Sequence, residues 1–193
     1  MNLIVALEQN NGIGKDNKLL VQLPEDMSFF KAKSLSSKIV IMGKNTLNSL
    51  PKAQPLPNRI NIVLTSSAPK VKTEQIIKES KKEAPLFFCS DVSSTFDLLK
   101  QLNRVNNFSK IILEKNTIEH ALVIGGVKTY KSFLPYCKYA FITHILKDFE
   151  ADTFFPDLPS TWKEIEKSET YKSKYENIPF YFATYENNHI KNL

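Results

Sequence analysis

Two short stretches of this sequence end an apolar run with glycine and continue with lysine and threonine. They are IVIMGKNT (39–46) and VIGGVKTY (123–130). If each glycine turn opens a helix, the free N–H groups and positive partial charge of that helix end can hold a phosphate, together with Lys44 or Lys128. One such turn alone is more often a tight turn without a ligand. Two of them at the carboxyl ends of neighbouring parallel strands favour a ligand with separated phosphates.

Asp26 is the candidate for chemistry on a ring. Pro24 suits the first turn of a helix, so Asp26 lies at the positive helix end, and Phe30 lies one turn later on the same face. A carboxylate beside an aromatic wall tends to have a raised pKa and can hydrogen-bond a cationic or amidine-like ring edge. A carboxylate that only compensates the helix dipole fits the same pattern. The residues alone leave both roles open.

Other well-known motifs are missing from the sequence. The GIG at 12–14 has Asn17 where a dinucleotide fingerprint needs its third glycine, and there is no GxxxxGK[ST], HExxH or GxSxG. His120, His144 and His189 are far apart and have no carboxylate close by in the sequence. Surface or satisfied strand histidines fit this pattern better than a metal site or a catalytic triad, so we expect no metal.

Composition limits the classes of protein. The chain has 193 residues, 42% of them hydrophobic and 24% charged, which suits one domain (1–193) with a hydrophobic core. Its net charge of +6 suits a site for anionic small molecules, and would also suit a weak nucleic-acid binder. Arginine occurs only at Arg59 and Arg104, which is too few for much guanine readout. We therefore expect no specific nucleic-acid partner.

Cysteine usage and hydropathy predict the compartment. Cys89 and Cys137 are too far apart in the sequence for a CxxC site, and we expect both to be buried thiols. No apolar run approaches the roughly 18 residues of a membrane span, and the N-terminus lacks the basic region and cleavage site of a secretory signal. These features predict a cytoplasmic protein without membrane contact.

Strands and helices alternate along the chain, which predicts a single α/β domain with a mainly parallel central sheet, an antiparallel C-terminal edge and helices on both faces. Apolar runs predict strands at 3–7, 38–42, 60–64, 86–89, 121–124, 139–146, 163–168 and 180–185. Helices are predicted at 24–33, 44–50, from a cap at 90–91 to about 105, and at 127–134. The polar stretches 67–84 and 106–119 are predicted to be surface excursions, and 9–23 to be a loop.

The ordered set of segments resembles the dihydrofolate reductase family from the first strand to the last, with only the two polar excursions uncovered. The segments are IVALEQNNGIGKDNKL, LPEDMSFFK, IVIMGKNTLNSLP, PLPNRINIVLTSS, LVIGGVKTY, THI and ADTFFP. The resemblance implies NADPH-dependent reduction of 7,8-dihydrofolate to 5,6,7,8-tetrahydrofolate, in support of one-carbon metabolism and thymidylate synthesis. It also implies antifolates as inhibitors, and we expect a monomer.

The resemblance implies a role for each residue of a folate site. Asp26 matches the only ionisable group of the pterin pocket and is the expected catalytic residue, with Thr143 as its hydrogen-bond partner. Arg59 matches the arginine that holds the glutamate α-carboxylate with a bidentate fork. The other expected substrate contacts are Ile4, Val5, Phe30, Ser49, Leu50, Leu56, Ile124 and Tyr130.

A second set of residues matches the NADPH contacts of the family. Ala6, Ile13, Gly14 and Leu19 match the first strand and the mobile loop that closes over the nicotinamide. The 2′-phosphate half of the cofactor is expected at Gly43, Lys44, Asn45, Thr46, Leu64, Thr65 and Ser66. The pyrophosphate and nicotinamide are expected at Gly125, Gly126, Val127, Lys128, Thr129 and Tyr130, where the family has a cis Gly-Gly bond.

Five positions depart from the family pattern. Leu20-Val21 replace the usual Pro-Trp, Lys44 stands where Arg is common, Leu47 where Trp is common, and Val127 where a third small residue often follows Gly-Gly. The reaction class should survive these differences. Loss of the tryptophan predicts looser substrate binding, because an aromatic neighbour and an anchor for a bridging water are both lost.

Two other interpretations fit parts of the sequence. The reductase domain of riboflavin biosynthesis shares this kind of fold and cofactor, but the combination of Asp26, Phe30 and Arg59 favours a folate. A basic protein that has kept the fold without activity, and contacts RNA, would fit the net charge of +6. The retained carboxylate, arginine and glycine turns argue against that alternative.

Overall fold

The computed structural model describes residues 1–105, 107–108, 111–113 and 115–191, and a nine-stranded sheet forms their centre. Its strands are β1 (Asn2–Leu7), β3 (Ile39–Gly43), β4 (Ile60–Leu64), β5 (Leu86–Cys89), β8 (Leu122–Gly125), β9 (Tyr139–Ile145), β11 (Trp162–Lys167), β12 (Tyr171–Lys172) and β13 (Pro179–Asn187). The order across the sheet is β11-β13-β9-β1-β8-β3-β4-β5, and β12 pairs with β13. The four remaining strands form two small pairs outside this sheet: β2 (Gly12–Gly14) with β10 (Thr153–Phe154), and β6 (Asn107–Phe108) with β7 (Ile111–Ile112).

The pairing confirms the predicted fold class. Strands β9, β1, β8, β3, β4 and β5 are mutually parallel, so their carboxyl ends meet at one edge of the sheet. Strand β13 runs antiparallel to β9, and β11 and β12 run antiparallel to β13. The parallel strands are almost continuous apolar runs because helices cover both of their faces.

In the described part of the chain, six α-helices cover the two faces of the sheet. They are α1 (Pro24–Ser37), α2 (Lys44–Ser49), α3 (Thr73–Glu79), α4 (Val92–Leu102), α5 (Thr117–His120) and α6 (Val127–Phe133). Leu99 of α4, Phe133 of α6 and Ile76 of α3 pack in the larger core cluster, on the face of β1 that carries Leu3 and Val5. The other face of β1 carries Ile4, which packs in a second cluster with Leu47 of α2 and Phe30 of α1.

Several predicted boundaries were wrong. Helix α1 continues past residue 33 to Ser37 and ends where Lys38 adopts a left-handed backbone conformation. The stretch 67–84 contains α3, whose Ile76 is buried in the core. The predicted loop 9–23 contains β2, because Gly14 and Gly12 pair with Thr153 and Phe154 far along the chain.

The stretch 106–119 lies partly outside the described residues. Its described part includes the pair β6–β7 and the start of α5. Phe108 and Ile111 are buried in the larger core cluster, so this part of the chain contributes to the core and is not only a surface excursion.

Candidate active site

Asp26 reaches from the first turn of α1 to the middle of the sheet. Its Oδ1 accepts a hydrogen bond of 2.6 Å from the hydroxyl of Thr143, which is fully buried on β9 and pairs in register with Ala6 of β1. Burial raises the pKa of Asp26 above its ordinary value, and the Thr143 hydrogen bond offsets part of this rise. The structure therefore brings together the predicted carboxylate and its predicted hydroxyl partner, in an environment that favours the neutral acid.

Apolar side chains from four elements lie on the same side of the sheet. Ile4 of β1 and Ile124 of β8 are buried in one cluster, against which Phe30, Leu50 and Leu56 pack. Five of the expected substrate contacts thus form a continuous apolar wall. Val5 lies on the opposite face of β1, where its side chain packs in the larger core cluster.

Arg59 is buried, with 6% of its surface exposed. Its Nε–H donates to the carbonyl of Pro57 at 2.9 Å, and its Nη1 donates to Ser34 Oγ of α1 at 2.7 Å. Burial lowers the pKa of Arg59 from its very high ordinary value, which still leaves the group charged. Within the described ranges no carboxylate lies at ion-pair distance from Arg59. An oriented guanidinium without an acidic partner is suited to bind a ligand carboxylate.

Two positioning residues around Arg59 were missed from the sequence. The side chain of Ser34 is fully buried and both accepts from Arg59 and donates to the carbonyl of Lys31. Asn61 is fully buried on β4, and its amide binds the backbone of Leu56 in both directions and the carbonyl of Arg59. Asn61 could have been noticed in the sequence, because it is the polar residue within the apolar run INIVL. No sequence pattern marks Ser34.

The two glycine turns interlock, because β3 and β8 are neighbours in the sheet. A Cβ atom on Gly43 would lie 3.0 Å from Thr129 Oγ1, and one on Gly126 would lie 3.4 Å from Thr46 Oγ1. The Gly125-Gly126 peptide bond is cis, as the resemblance implied, and Gly125 has a φ of 121°. Both turns lead directly into helices, α2 and α6, whose first N–H groups have no partner within the helix, which suits a ligand with separated phosphates.

Lys44 and Thr65 begin adjacent connections at this edge. Strand register pairs Gly43 with Leu64, so the residues that follow each of them, Lys44 and Thr65, start side by side. Lys44 and Ser66 are exposed, as is Asn45. This placement suits the expected contacts to a phosphate group at the surface.

Tyr130 connects the second turn to the first strand. Its hydroxyl donates to the carbonyl of Ile4 at 2.7 Å, and burial together with the charge of Asp26 raises its pKa. Because the hydroxyl is already bound to the backbone, Tyr130 shapes the site as a neutral donor and not as a proton-transfer group.

The loop before α1 contains two of the residues that depart from the family pattern, Leu20 and Val21. Leu19 is 58% exposed, whereas Val21 is half-buried and packs against the cluster that contains Leu23 and Phe180. At the base of the loop, Ile13 is half-buried and Gly14 is buried. The backbone N–H of Asp16 donates to Asp152 Oδ2 at 2.9 Å, which attaches the loop to the segment before β10.

The cysteines and His144 lie outside this site. Cys89 and Cys137 are free and buried. His144 is half-buried and binds the hydroxyl of Tyr185 at 3.1 Å, as a satisfied strand histidine does. Among the described residues no group of His, Cys, Asp and Glu could hold a metal ion, and no helix is long and apolar enough to cross a membrane.

Comparison with known proteins agrees with this geometry. The family model "Dihydrofolate reductase" matches residues 1–187. The chain is 32% identical over 187 residues to the dihydrofolate reductase of Bacillus subtilis, covering 96% of this chain and 94% of that protein. It is 34% identical over 176 residues to that of Haemophilus influenzae, covering 91% of each. A solved structure of Enterococcus faecalis dihydrofolate reductase, complexed with NADP(H) and RAB-propyl, matches with a TM-score of 0.71 and 27% identity, covering 97% of this chain and 95% of that one.

A half-buried carboxylate lies on one face of a mainly parallel α/β sheet, and two glycine turns lie at the carboxyl edge of that sheet. This arrangement suits an oxidoreductase that binds a phosphate-bearing cofactor beside a small ring substrate. Within that class, the match over nearly the whole chain is specific: this chain belongs to the dihydrofolate reductase family. Its fold is that of the family.

Proposed function

We propose that the chain reduces 7,8-dihydrofolate to 5,6,7,8-tetrahydrofolate with NADPH as the hydride donor. The observation that carries the proposal is the Asp26–Thr143 pair, a carboxylate with a raised pKa on the apolar face that also carries Ile4, Phe30 and Ile124. Such a group can bind the 2-amino group and ring N–H of a pterin and favour its protonation.

Each group of residues around the substrate has its own role. Asp26 orients the pterin ring through its carboxylate, and Thr143 holds that carboxylate in place with the 2.6 Å hydrogen bond. The apolar wall around Leu50 and Leu56 excludes water from the ring, and Arg59 binds the glutamate carboxylate. Asp26 stabilises the protonated pterin, and a solvent water delivers the proton to the neighbouring ring nitrogen.

The glycine turns fit a dinucleotide. At Gly43 an added Cβ would lie 3.0 Å from Thr129 Oγ1, and Gly125 has a φ of 121°, a conformation that favours glycine. Lys44 lies beside Thr65, where we expect the 2′-phosphate. When bound there, NADPH supplies the hydride for the substrate. The NADP(H) complex of the Enterococcus faecalis enzyme supports this cofactor.

The proposal also covers the use of the product, the inhibitors, the compartment and the oligomeric state. The product would serve one-carbon metabolism and thymidylate synthesis, and antifolates would compete for the Asp26 pocket. The buried free thiols Cys89 and Cys137 fit a reducing, cytoplasmic compartment, and we expect the enzyme to act as a monomer.

A spectrophotometric assay tests the proposal. Oxidation of NADPH should be observed when dihydrofolate is the only other reactant, and should depend on both. A well-folded protein that binds NADPH but shows no turnover would refute the proposal and favour a binding protein that has only kept the fold.

A further inference from the structure

Glu8 is a buried acid that none of the expected roles uses. It follows β1 directly, and only 3% of its surface is exposed. Its Oε1 accepts two backbone hydrogen bonds, from the N–H of Asn10 at 2.9 Å and from the N–H of Gly12 at 2.8 Å. Its Oε2 is buried and has no hydrogen-bond partner in the described part of the chain. The carboxylate is therefore held by one oxygen only.

The backbone of Glu8 closes the same turn. Its N–H donates to the carbonyl of Gly12 at 3.0 Å, and its carbonyl accepts from the N–H of Asn11 at 3.0 Å. Backbone and side chain of Glu8 thus bind the segment 10–12 from both sides. A Cβ atom at Gly12 would lie 2.6 Å from Glu8 Oε1 and 2.3 Å from the Cβ of Ala151, so this close approach requires glycine there.

The position of this turn gives Glu8 a functional consequence. Ala6 lies two residues before it, and Ile13 and Gly14 follow Gly12 directly. These three residues are the expected contacts to the nicotinamide half of the cofactor. The separation between Ala6 and Ile13–Gly14 is set by the turn that Glu8 closes.

We propose that Glu8 is a positioning residue that holds the base of the active-site loop and so places Ile13 and Gly14 against the nicotinamide. This inference rests on the proposed function and adds to it a residue that positions the cofactor contacts. Glu8 acts through an acceptor oxygen and not through its charge, because a single oxygen takes both N–H groups. An amide side chain, which keeps one acceptor oxygen, should replace it.

Three variants test the proposal. Glu8→Met removes the acceptor at similar size, and Glu8→Gln keeps it. Glu79→Met is the matched control, because Glu79 is also a buried acid, 7% exposed, that accepts a backbone N–H, from Leu86 at 2.9 Å. Each protein is measured for hydrogen exchange at the Asn10 and Gly12 amides by NMR. Calorimetry then gives its affinity for NADPH and for 2′,5′-ADP, which lacks the nicotinamide half.

Glu8→Met should lose exchange protection at both amides and bind NADPH roughly five- to tenfold more weakly, with unchanged affinity for 2′,5′-ADP. Glu8→Gln should restore both protection and NADPH affinity, and Glu79→Met should change neither affinity. Equal weakening of both ligands in Glu8→Met would overturn the positioning role, as would unchanged protection. A Gln variant as defective as the Met variant would overturn the acceptor mechanism.

The exchange measurement separates this inference from the proposed function. It is made without cofactor, so it reports on the turn alone. If the unaltered protein failed to bind NADPH while Glu8→Met still lost amide protection, the cofactor assignment would be refuted and Glu8 would keep only its contact with the loop.

Discussion

Replacing Arg59 by lysine tests the substrate assignment most directly. In the structure, Nε and Nη1 of Arg59 are bound to Pro57 and Ser34, which fixes the plane of the guanidinium. The remaining N–H groups of the fork are therefore preoriented for a carboxylate. Lysine keeps the charge but has a single nitrogen on a flexible chain, so it cannot bind these anchors and form the fork at the same time.

The expected loss follows from the number of bonds to the ligand. A hydrogen bond to a charged group contributes about 1.5–3 kcal/mol, and Arg59→Lys removes one of the two bonds of the fork. Dihydrofolate should therefore bind roughly 10- to 150-fold more weakly. Ser34→Ala keeps the fork and loses only its orientation, so it should cost about 0.5–1.5 kcal/mol, or roughly two- to tenfold.

The assay compares two substrates. Dissociation constants are measured by calorimetry for dihydrofolate and for a reduced pterin that lacks the glutamate tail, with NADPH binding and thermal unfolding as checks on folding. Only dihydrofolate should lose affinity in Arg59→Lys. Equal losses for both ligands would show that Arg59 is structural, and no loss for either would remove it from the site.

Three further predictions concern the carboxylate, the cofactor and the loop. Asp26→Asn should lose most of the rate near neutral pH while NADPH binding persists. Burial raises the pKa of Asp26 in the folded state, so its ionised form opposes folding above that raised pKa, and the penalty fades as the pH falls towards 3.8. Chemical unfolding should therefore show Asp26→Asn as the more stable protein at pH 7, and the difference in the free energy of unfolding should disappear in acid. Lys44→Ala should reduce the preference for NADPH over NADH, and do so less at high salt; an unchanged ratio of kcat/KM values would place the phosphate elsewhere. Val21→Trp with Leu20→Pro should tighten dihydrofolate binding by about 1–2 kcal/mol, at a cost of about 1–3 kcal/mol in thermal stability because Val21 already packs against the cluster that contains Leu23. A folded variant that binds dihydrofolate no better would show that the loop has repacked.

The sequence predicted best the features that local chemistry determines. Helix α1 begins at Pro24, as expected from a proline in the first turn followed by acids. Its end was missed because the polar run after residue 33 gives no apolar period. In the folded protein Ser34 is buried all the same, since Arg59 and the Lys31 carbonyl satisfy its hydroxyl. That contact joins residues 25 positions apart, and no local pattern records it.

The other features that the sequence did not predict also depend on contacts between residues far apart in the chain. Strand β2 exists only because Thr153 and Phe154 lie beside Gly14 and Gly12. In helix α3, Ile76 and the acid Glu79 are buried, whereas Ile77, beside Ile76, is 54% exposed, so the segment shows little amphipathic period. The Asp26–Thr143 contact spans 117 positions and was expected only through the family resemblance.

The placement of β1 has a consequence for how the chain matures on the ribosome. This N-terminal strand pairs on one side with β8 and on the other with β9, and its first register partners are Leu122 and Tyr139. At about 5–20 residues per second, roughly 6 to 25 seconds of synthesis pass before the first partner residue is made. During that interval the apolar residues of β1 lack both neighbouring strands, and the apolar wall of the site is incomplete. Assembly of the catalytic cleft is therefore a late event in translation, because both sheet neighbours of β1 are made after residue 121.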